Sequence, residues 1–268
     1  MSEIPPVVLT IAGFDPSSGA GVTADIKTIA AHGCYGLACI TALTVQSTTG
    51  VRRVVPVETS VVSETLEALA GDMKIAAVHI GMLGSGDVVK AVARFLRDQA
   101  QANVVLDPIL RSSSGAALLD QDGKMLMVKE LFPLAAVITP NVDESAWLTD
   151  SQVNNLEEMK EAAAKLHALG AAAVVVTGGH LADATDLLSV AGAKGTQMQT
   201  FLLEKLHSSS THGTGCAFAT SIACHLAVGK SLPEAVELAK AYVFRAIASA
   251  YPIGRGVGPV NHLFELYR

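Results

Sequence analysis

Short apolar runs alternate with longer amphipathic segments along most of the chain. Six runs rich in Val, Ile, Leu and Ala have the length of strands buried on both faces, at residues 7–11, 37–43, 76–80, 103–107, 135–139 and 173–177. Between them, the spacing of apolar residues predicts helices over residues 21–32, 60–71, 87–101, 124–131 and 155–169. This repeated strand–helix–strand order predicts an α/β fold with a doubly wound, mostly parallel sheet and helices on both faces.

The pattern changes after Asp186. Residues 186–190 and 197–203 predict an antiparallel pair at one edge of the sheet, and two long helices are predicted over residues 215–228 and 232–250. No Pro- or Ser-rich linker and no shift in composition interrupts the sequence. We therefore predict a single domain over residues 1–268.

Composition restricts the class of protein and its partners. Hydrophobic residues make up 50% of the chain and charged residues 16%, which excludes intrinsic disorder. A net charge of −6 without a long basic run argues against nucleic acid or a membrane surface as the main partner. The N-terminus has no signal-peptide pattern, and the four cysteines have neither C-x-x-C nor metal-ligand spacing. We therefore expect a cytoplasmic protein with free thiols.

Polar residues interrupt the apolar sequence where the predicted strands end. Asp15, Gln46, Asp107, Asn141 and Thr177 each lie at or just beyond the end of a different strand. In doubly wound sheets, ligands bind beyond the carboxyl ends of the strands. The sequence therefore predicts where a binding site lies, without identifying the ligand.

The most informative segment is T-H-G-T-G-C-A-F-A, residues 211–219. A glycine-rich turn that leads into a helix presents unpaired backbone N–H groups and the positive end of the helix dipole, which suit a phosphate or an oxyanion. Cys216 is predicted in the first helical turn, where the same field favours the thiolate. The alternative is a tight helix entry with a small buried cysteine.

A second glycine-rich segment follows the first predicted strand and does not fit a dinucleotide site. Gly13, Gly19 and Gly21 lack the G-x-G-x-x-G spacing, and no acidic residue ends the second strand where a ribose hydroxyl would be held. The segment also lacks the Lys-Ser/Thr ending of a Walker loop.

Several segments together resemble the ribokinase-like vitamin kinases, in particular the hydroxymethylpyrimidine and phosphomethylpyrimidine kinases of thiamine synthesis. They are A-G-F-D-P-S-S-G-A-G (residues 12–21), V-L-D (105–107), T-P-N-x-x-E (139–144), G-G-H (178–180), T-H-G-T-G-C (211–216) and G-V-G-P-V (256–260). The resemblance implies an ATP- and Mg²⁺-dependent kinase. It would phosphorylate 4-amino-5-hydroxymethyl-2-methylpyrimidine and the monophosphate of that alcohol, and it would form a homodimer.

The resemblance also implies roles for individual residues. Those in catalysis are Cys216 and the turn Gly213, Thr214 and Gly215, with the turn serving as an oxyanion hole. Those in substrate binding are Gly13, Asp25, Gln46 and Met82; those around the nucleotide are Asn141, Thr177, Gly179 and Thr211; those around Mg²⁺ are Asp107 and Glu144.

Most of these residues also have an ordinary structural explanation. Asp25 and Glu144 could be first-turn acids that interact with a helix dipole, and Asp107 could be a turn or capping residue. Gln46 could be a surface glutamine and Met82 part of the core. Whether Cys216 accepts a proton or only positions the substrate hydroxyl stays open.

Two rival functions and one departure accompany the resemblance. Pyridoxal or pyridoxine kinases share the fold and the cysteine turn, and a non-catalytic ligand-binding protein is the rival from another class. Many of the resembling kinases have lysine immediately before G-G-H, where this chain has Thr177. At that position the chain therefore departs from the pattern and offers no cationic contact to the nucleotide phosphates.

Overall fold

A computed structural model of the chain describes residues 4–111, 115, 118–179, 181, 184–193 and 195–267. Its strands are β1 (Val7–Phe14), β2 (Tyr35–Ser47), β3 (Gly50–Pro56), β4 (Ile75–Ile80), β5 (Val104–Leu106), β6 (Val137–Ile138), β7 (Ala173–Val176), β8 (Ala184–Val190) and β9 (Gln197–Leu203). Its α-helices are α1 (Gly21–Ala31), α2 (Thr59–Asp72), α3 (Gly86–Asp98), α4 (Gln121–Leu126), α5 (Val142–Thr149), α6 (Leu156–Ala168), α7 (Thr214–Ala227) and α8 (Leu232–Ala248). A π-helical turn, Met127–Leu131, and a 3₁₀ turn, Phe132–Leu134, follow α4, and another 3₁₀ turn spans Phe264–Tyr267.

The strands form one sheet in the order β3-β2-β1-β4-β5-β6-β7-β8-β9. Strands β2, β1, β4, β5, β6 and β7 are mutually parallel, whereas β3 at one edge and β8 and β9 at the other pair in antiparallel fashion. The chain thus builds the sheet outward from β1 in both directions. This confirms the predicted doubly wound α/β fold and the predicted antiparallel pair after Asp186.

Alternate residues of the central strands fill two separate hydrophobic cores. Leu9 and Ile11 of β1 belong to the core formed with α2, α3 and α6, whereas Val8 belongs to the core formed with α1, α7 and α8. In β7, Val174 faces the first core and Val175 the second. Because successive side chains of a strand point to opposite faces, burial of both faces requires the continuous apolar runs seen in the sequence.

The largest departure from the predicted strands is the hairpin of β2 and β3. β2 continues past residue 43 to Ser47 and pairs with β3, a strand absent from the predicted pattern. The side chains of β3 are exposed or half-buried, so the strand has no apolar run and depends on its pairing with β2. As a consequence, Gln46 lies inside β2 opposite Val51, and not beyond the end of the strand as predicted.

The predicted helices differ from the structure mainly at α5. This short helix is stabilised by a capping box: Asn141 Oδ1 accepts the Glu144 N–H and Glu144 Oε2 accepts the Asn141 N–H, both at 2.9 Å. The predicted strand 135–139 shortens to β6, and the predicted helix 124–131 combines the end of α4 with the π-helical turn. None of the described helices is both long and apolar enough to cross a membrane.

A buried ion pair fixes the end of β7. Asp186 on β8 accepts hydrogen bonds from Lys240 Nζ at 2.7 Å and from the Gly178 N–H at 3.0 Å. Lys240 Nζ also donates to the Ala184 carbonyl at 2.6 Å. Side-chain exposure is 10% for Lys240 and 9% for Asp186, so neither charge is well hydrated. The pair therefore holds the turn at residues 177–179 in place.

Removal of Lys240 tests this anchor. Lys240→Met leaves the Asp186 carboxylate buried without its cation, and we expect the free energy of unfolding to fall by roughly 3–5 kcal/mol in urea denaturation. Adding Asp186→Asn keeps an acceptor for Gly178 but removes the charge, so the double variant should regain most of the loss. Equal stability of Lys240→Met and the unmodified protein would contradict the anchor.

Candidate active site

The loop after β1 is organised by Asp15. The Asp15 Oδ1 atom accepts the N–H and hydroxyl of Ser17 at 2.8 and 2.7 Å, and Oδ2 accepts the Ala20 N–H at 3.0 Å. His212 Nε2 lies 2.8 Å from Asp15 Oδ2. Burial opposes ionisation of Asp15, but the hydrogen bonds from His212 and Ser17 outweigh it and lower its pKa below the usual value. The first glycine loop is therefore tied through an ionised carboxylate to the turn that precedes α7.

Close backbone contact joins the same two segments. Gly213 has φ +85°, and a Cβ there would overlap the carbonyl oxygen of Gly19. A Cβ at Gly19 would in turn overlap the ring of His212. Glycine is needed at both positions because only a residue without a side chain permits this approach.

The contact places the N-terminus of α7 opposite the end of β5. Gly213 is the N-cap of α7 and has no side chain to cap it; the Thr214 N–H donates to the Thr211 carbonyl at 3.4 Å, and the N–H groups that follow in the first turn can bind a ligand. A Cβ on Gly215 would lie 3.6 Å from Asp107 Oδ2. An acidic group and the positive end of a helix dipole therefore face the same space.

All but two of the predicted site residues line one cavity of about 620 Å³. They come from distant parts of the chain: Gly13, Gln46, Met82, Asp107, Asn141, Glu144, Thr177, Thr211, Gly213, Thr214, Gly215 and Cys216. Cavities that bind small molecules have volumes of about 300–1,000 Å³, so there is room for a compact substrate and part of a second ligand.

Asp25 and Gly179 are the two residues that do not line the cavity. Asp25 is fully buried in α1 and accepts hydrogen bonds from Thr10 at 2.6 Å and Thr220 at 2.9 Å, with His79 Nδ1 at 3.3 Å. Since no acidic residue occupies the first turn of α1, the alternative of a first-turn acid is wrong for Asp25. Gly179 follows β7 in the turn held by Asp186, and His180 lies outside the described residues.

Asp107 and Glu144 form the acidic part of the cavity. Burial raises the pKa of Asp107 to about 8, and the charge of Glu144 contributes further to that rise. Burial likewise raises the pKa of Glu144 to about 7, although N–H groups of Asn141 and Leu110 partly oppose it. The capping box shows that the structural explanation for Glu144 is correct, and it leaves Glu144 in the cavity wall.

Two adjacent carboxylates with raised pKa values fit a divalent cation, which would offset their mutual repulsion. Mg²⁺ takes oxygen ligands and typically binds to one or two carboxylates together with water and phosphate oxygens. Across the described residues, no group of three or more His, Cys, Asp or Glu side chains could enclose a metal. The donor set thus suits Mg²⁺ shared with a phosphate ligand.

The predicted thiolate at Cys216 is wrong. Burial, together with the negative charges of Asp25 and Asp107, raises the pKa of Cys216 well above its usual range. The N–H of Gly21 and the helix terminus act in the opposite direction but are weaker. Cys216 therefore faces the cavity as a neutral thiol.

Gln46 and Met82 occupy the wall near β1 and β2. The Gln46 Oε1 atom lies 3.2 Å from the Thr44 hydroxyl, and its Nε2 atom lies 3.3 Å from His212 Nε2. Met82 is buried, and its sulfur would be 2.9 Å from a Cβ on Gly13, so the absence of a side chain there makes room for the thioether. The two side chains present an amide and an apolar surface to the same cavity.

His212, Trp147 and Arg111 are among the cavity side chains that carry no predicted role. His212, left unassigned in the sequence, contacts both Asp15 and Gln46. Trp147 lines the cavity from α5, and Arg111 lines it from the loop after β5. Only His212 had a signal in the sequence, because it lies within the glycine-rich segment at residues 211–219.

The family model and the similar proteins point to the same family. A family model described as phosphomethylpyrimidine kinase matches residues 15–261. The hydroxymethylpyrimidine/phosphomethylpyrimidine kinase of Streptomyces coelicolor is 40% identical over 263 residues, which cover 98% of this chain and 96% of that protein. A thiamine biosynthesis bifunctional protein of Geobacter sulfurreducens is 42% identical over 258 residues, covering 96% of this chain but only 52% of that protein.

The chain is also similar to a solved structure of a pyridoxal kinase. Bacillus subtilis pyridoxal kinase, in complex with ADP, superimposes with a TM-score of 0.88 at 31% identity. The match covers 98% of this chain and 99% of that one. The sheet and its helices are therefore ribokinase-like, as the resemblance implied.

The raised pKa values generate a test of the acidic pair. An aspartate has a pKa near 4 when unfolded, whereas Asp107 has a pKa of about 8 in the fold, so the folded state holds its proton more tightly. Stability from this group is complete below pH 4 and is lost as the pH rises to 8. In the presence of EDTA, Asp107→Asn should therefore be more stable than the unmodified protein at pH 8, by about 1 kcal/mol or more.

The gain should shrink toward pH 5 and when Mg²⁺ is added at pH 8, as measured by thermal unfolding. The exposed Asp72 provides the control, because Asp72→Asn should not change the pH dependence. The same pH dependence in Asp107→Asn and the unmodified protein would contradict a strained carboxyl pair.

Proposed function

The chain belongs to the phosphomethylpyrimidine kinase family, and on that basis we propose that it transfers the γ-phosphoryl group of ATP to 4-amino-5-hydroxymethyl-2-methylpyrimidine. Its monophosphate would be a second substrate, and both reactions would serve thiamine biosynthesis. One observation carries the proposal: the carboxylates of Asp107 and Glu144 and the open N-terminus of α7 face the same cavity. A phosphoryl group in transfer needs both, because it carries negative charge that metal and N–H groups can stabilise.

The nucleotide would occupy the side of the cavity nearest β6 and β7. Asn141 and Thr177 supply polar groups there, Gly179 lies in the adjoining turn, and Thr211 lines the same cavity from the turn before α7. Asp107 and Glu144 would hold Mg²⁺, which when bound neutralises charge on the phosphate oxygens. The ADP complex of the related pyridoxal kinase supports ATP as the phosphoryl donor.

The substrate would occupy the side near β1 and β2. Gln46 offers an amide donor and acceptor that match the amino group and ring nitrogen of an aminopyrimidine. Met82 would pack against the flat ring. The hydroxymethyl oxygen would then lie near Cys216 and the N–H groups of residues 213–215.

We propose that the Cys216 thiol positions the hydroxyl group and does not remove its proton. A neutral thiol with a strongly raised pKa is a poor base. Phosphoryl transfer through a loose transition state needs little proton removal before the oxygen attacks, so positioning and charge stabilisation dominate. As the new P–O bond forms and the bond between the γ-phosphorus and the ADP oxygen breaks, the hydroxyl proton would pass to an oxygen of the transferred phosphoryl group.

Two features of the proposal concern the protein as a whole. Exposed Leu43, Val45 and Val55 form an apolar patch on the β2–β3 hairpin, which supports association into a homodimer. A cytoplasmic location is expected because the reaction consumes ATP.

Pyridoxal kinase is the competing activity, favoured by the superposition with the Bacillus subtilis enzyme.

Loss of the thiol tests the positioning role. Cys216→Ala should lower kcat by about 10²-fold, the usual cost of a misplaced reacting group, while the KM for ATP changes little. Cys224 on the same helix is the matched control, since it is buried in the core away from the cavity. Cys224→Ala should affect stability and not kcat. Near-normal turnover of a folded Cys216→Ala protein would leave only a packing role for Cys216.

A comparison of substrates tests the proposed function itself. We expect ADP release above the no-substrate background with the pyrimidine alcohol, and less with pyridoxal, which lacks the amino group. Gln46→Leu should reduce kcat/KM for the pyrimidine more than for pyridoxal, by on the order of 1–3 kcal/mol, because it removes the partner of that amino group. Preference of the unmodified protein for pyridoxal would establish the competing activity, and no ADP release with either would indicate a non-catalytic protein.

A further inference from the structure

More acidic than basic side chains line the cavity. Four acidic residues line it: Asp15, Asp107, Asp143 and Glu144. Among the lining residues that the structure describes, Arg111 is the only one with a permanent positive charge. ATP brings several further negative charges, and Asp107 and Glu144 would themselves be charged when they hold a cation, so a cationic side chain beside them favours binding of the phosphates.

Other cations reach the segments around the cavity, but each has a partner. Lys27 Nζ donates to the Ser18 carbonyl at 2.5 Å, and Lys205 Nζ donates to the Leu181 carbonyl at 2.6 Å. Lys240 is paired with Asp186. Lys124 Nζ lies 2.7 Å from the centre of the Trp147 ring. None of these four amines is among the groups that line the cavity, although Lys124 lies over the ring of Trp147, which does line it. Thr177, at the end of β7, contributes no charge.

Arg111 differs from these lysines because its guanidinium group has no partner among the described residues. Its side chain is exposed, and within the described part of the chain no hydrogen bond or ion pair engages the guanidinium group. Planar guanidinium groups bind phosphate through two parallel N–H···O contacts, so an unengaged arginine at a cavity rim suits this ligand.

The backbone places Arg111 beside the acidic pair. Leu110, immediately before it, is 5% exposed, and the Leu118 N–H donates to the Leu110 carbonyl at 3.0 Å. The Leu110 N–H interacts with Glu144 and opposes the rise of its pKa. The position of Arg111 is therefore set by a buried residue that also contacts Glu144, one of the two carboxylates proposed to hold Mg²⁺.

We propose that Arg111 binds the terminal phosphate groups of ATP and supplies the positive charge that Thr177 does not. The inference rests on the proposed function, because it assumes that a nucleotide triphosphate enters this cavity. Arg111 contributes through its charge and its paired N–H groups, and it acts on the phosphates and not on the nucleoside. Binding of ATP should therefore depend on Arg111, whereas binding of adenosine should not.

Trp147 allows this to be measured by intrinsic fluorescence, since it is the single tryptophan of the chain and lines the cavity. Titration of the full chain with ATP in the presence of Mg²⁺ should give a Kd that rises about 10- to 100-fold in Arg111→Met. Arg111→Lys should show a smaller rise, because it keeps the charge but loses the paired contact. The Kd for adenosine should be unchanged in both variants.

Arg94→Met is the matched control, because Arg94 is 83% exposed on α3 and forms only a surface pair with Asp98. Its Kd for ATP should equal that of the unmodified protein. Unchanged ATP binding in Arg111→Met would overturn the inference while leaving the proposed function intact. Equal losses for ATP and adenosine would also overturn it, by showing that Arg111 maintains the shape of the cavity. Failure of the unmodified protein to bind ATP would remove the proposed function and the inference together.

Discussion

The contact between Gly213 and the carbonyl of Gly19 is the constraint on which the rest of the site depends. It brings the turn before α7 against the loop after β1, and the hydrogen bond between His212 and Asp15 secures the approach. Without a glycine at residue 213, the backbone would need a strained positive φ and would collide with the first loop. The approach leaves the first turn of α7 directed at Asp107.

Burial sets the pKa values of the site residues and also destabilises the site when it is empty. Burial raises the pKa values of both Asp107 and Glu144; the charge of Glu144 adds to the rise at Asp107, and the charge of Asp143 adds to the rise at Glu144. The same burial keeps Cys216 neutral although it lies at a helix N-terminus. Carboxylates buried close together destabilise the empty site. A bound cation offsets their charge and also attracts a phosphate group. The arrangement thus lowers the stability of the empty protein and favours binding of the cation and the phosphate.

The sequence was informative where the determinants are local or periodic. Apolar runs such as that around Leu9 predict strands buried on both faces, and the glycine-rich segment before Cys216 predicts a helix entry facing a ligand. Prediction failed where a distant partner decides the outcome. β3 exists because β2 pairs with it, and Asp15 and His212 meet across 197 positions of the chain. The thiolate expectation failed because burial outweighs the field of one helix end.

Direct observation of bound ligands would test the central claim that these segments form one phosphoryl-transfer site. The measurement is a crystal structure with Mg²⁺, a non-hydrolysable ATP analogue and the pyrimidine alcohol. We expect the terminal phosphate between Asp107 and the N–H groups of residues 213–215, with N···O distances of about 3 Å, and the substrate hydroxyl beside Cys216. A nucleotide bound outside the cavity, or a terminal phosphate remote from the first turn of α7, would contradict the account.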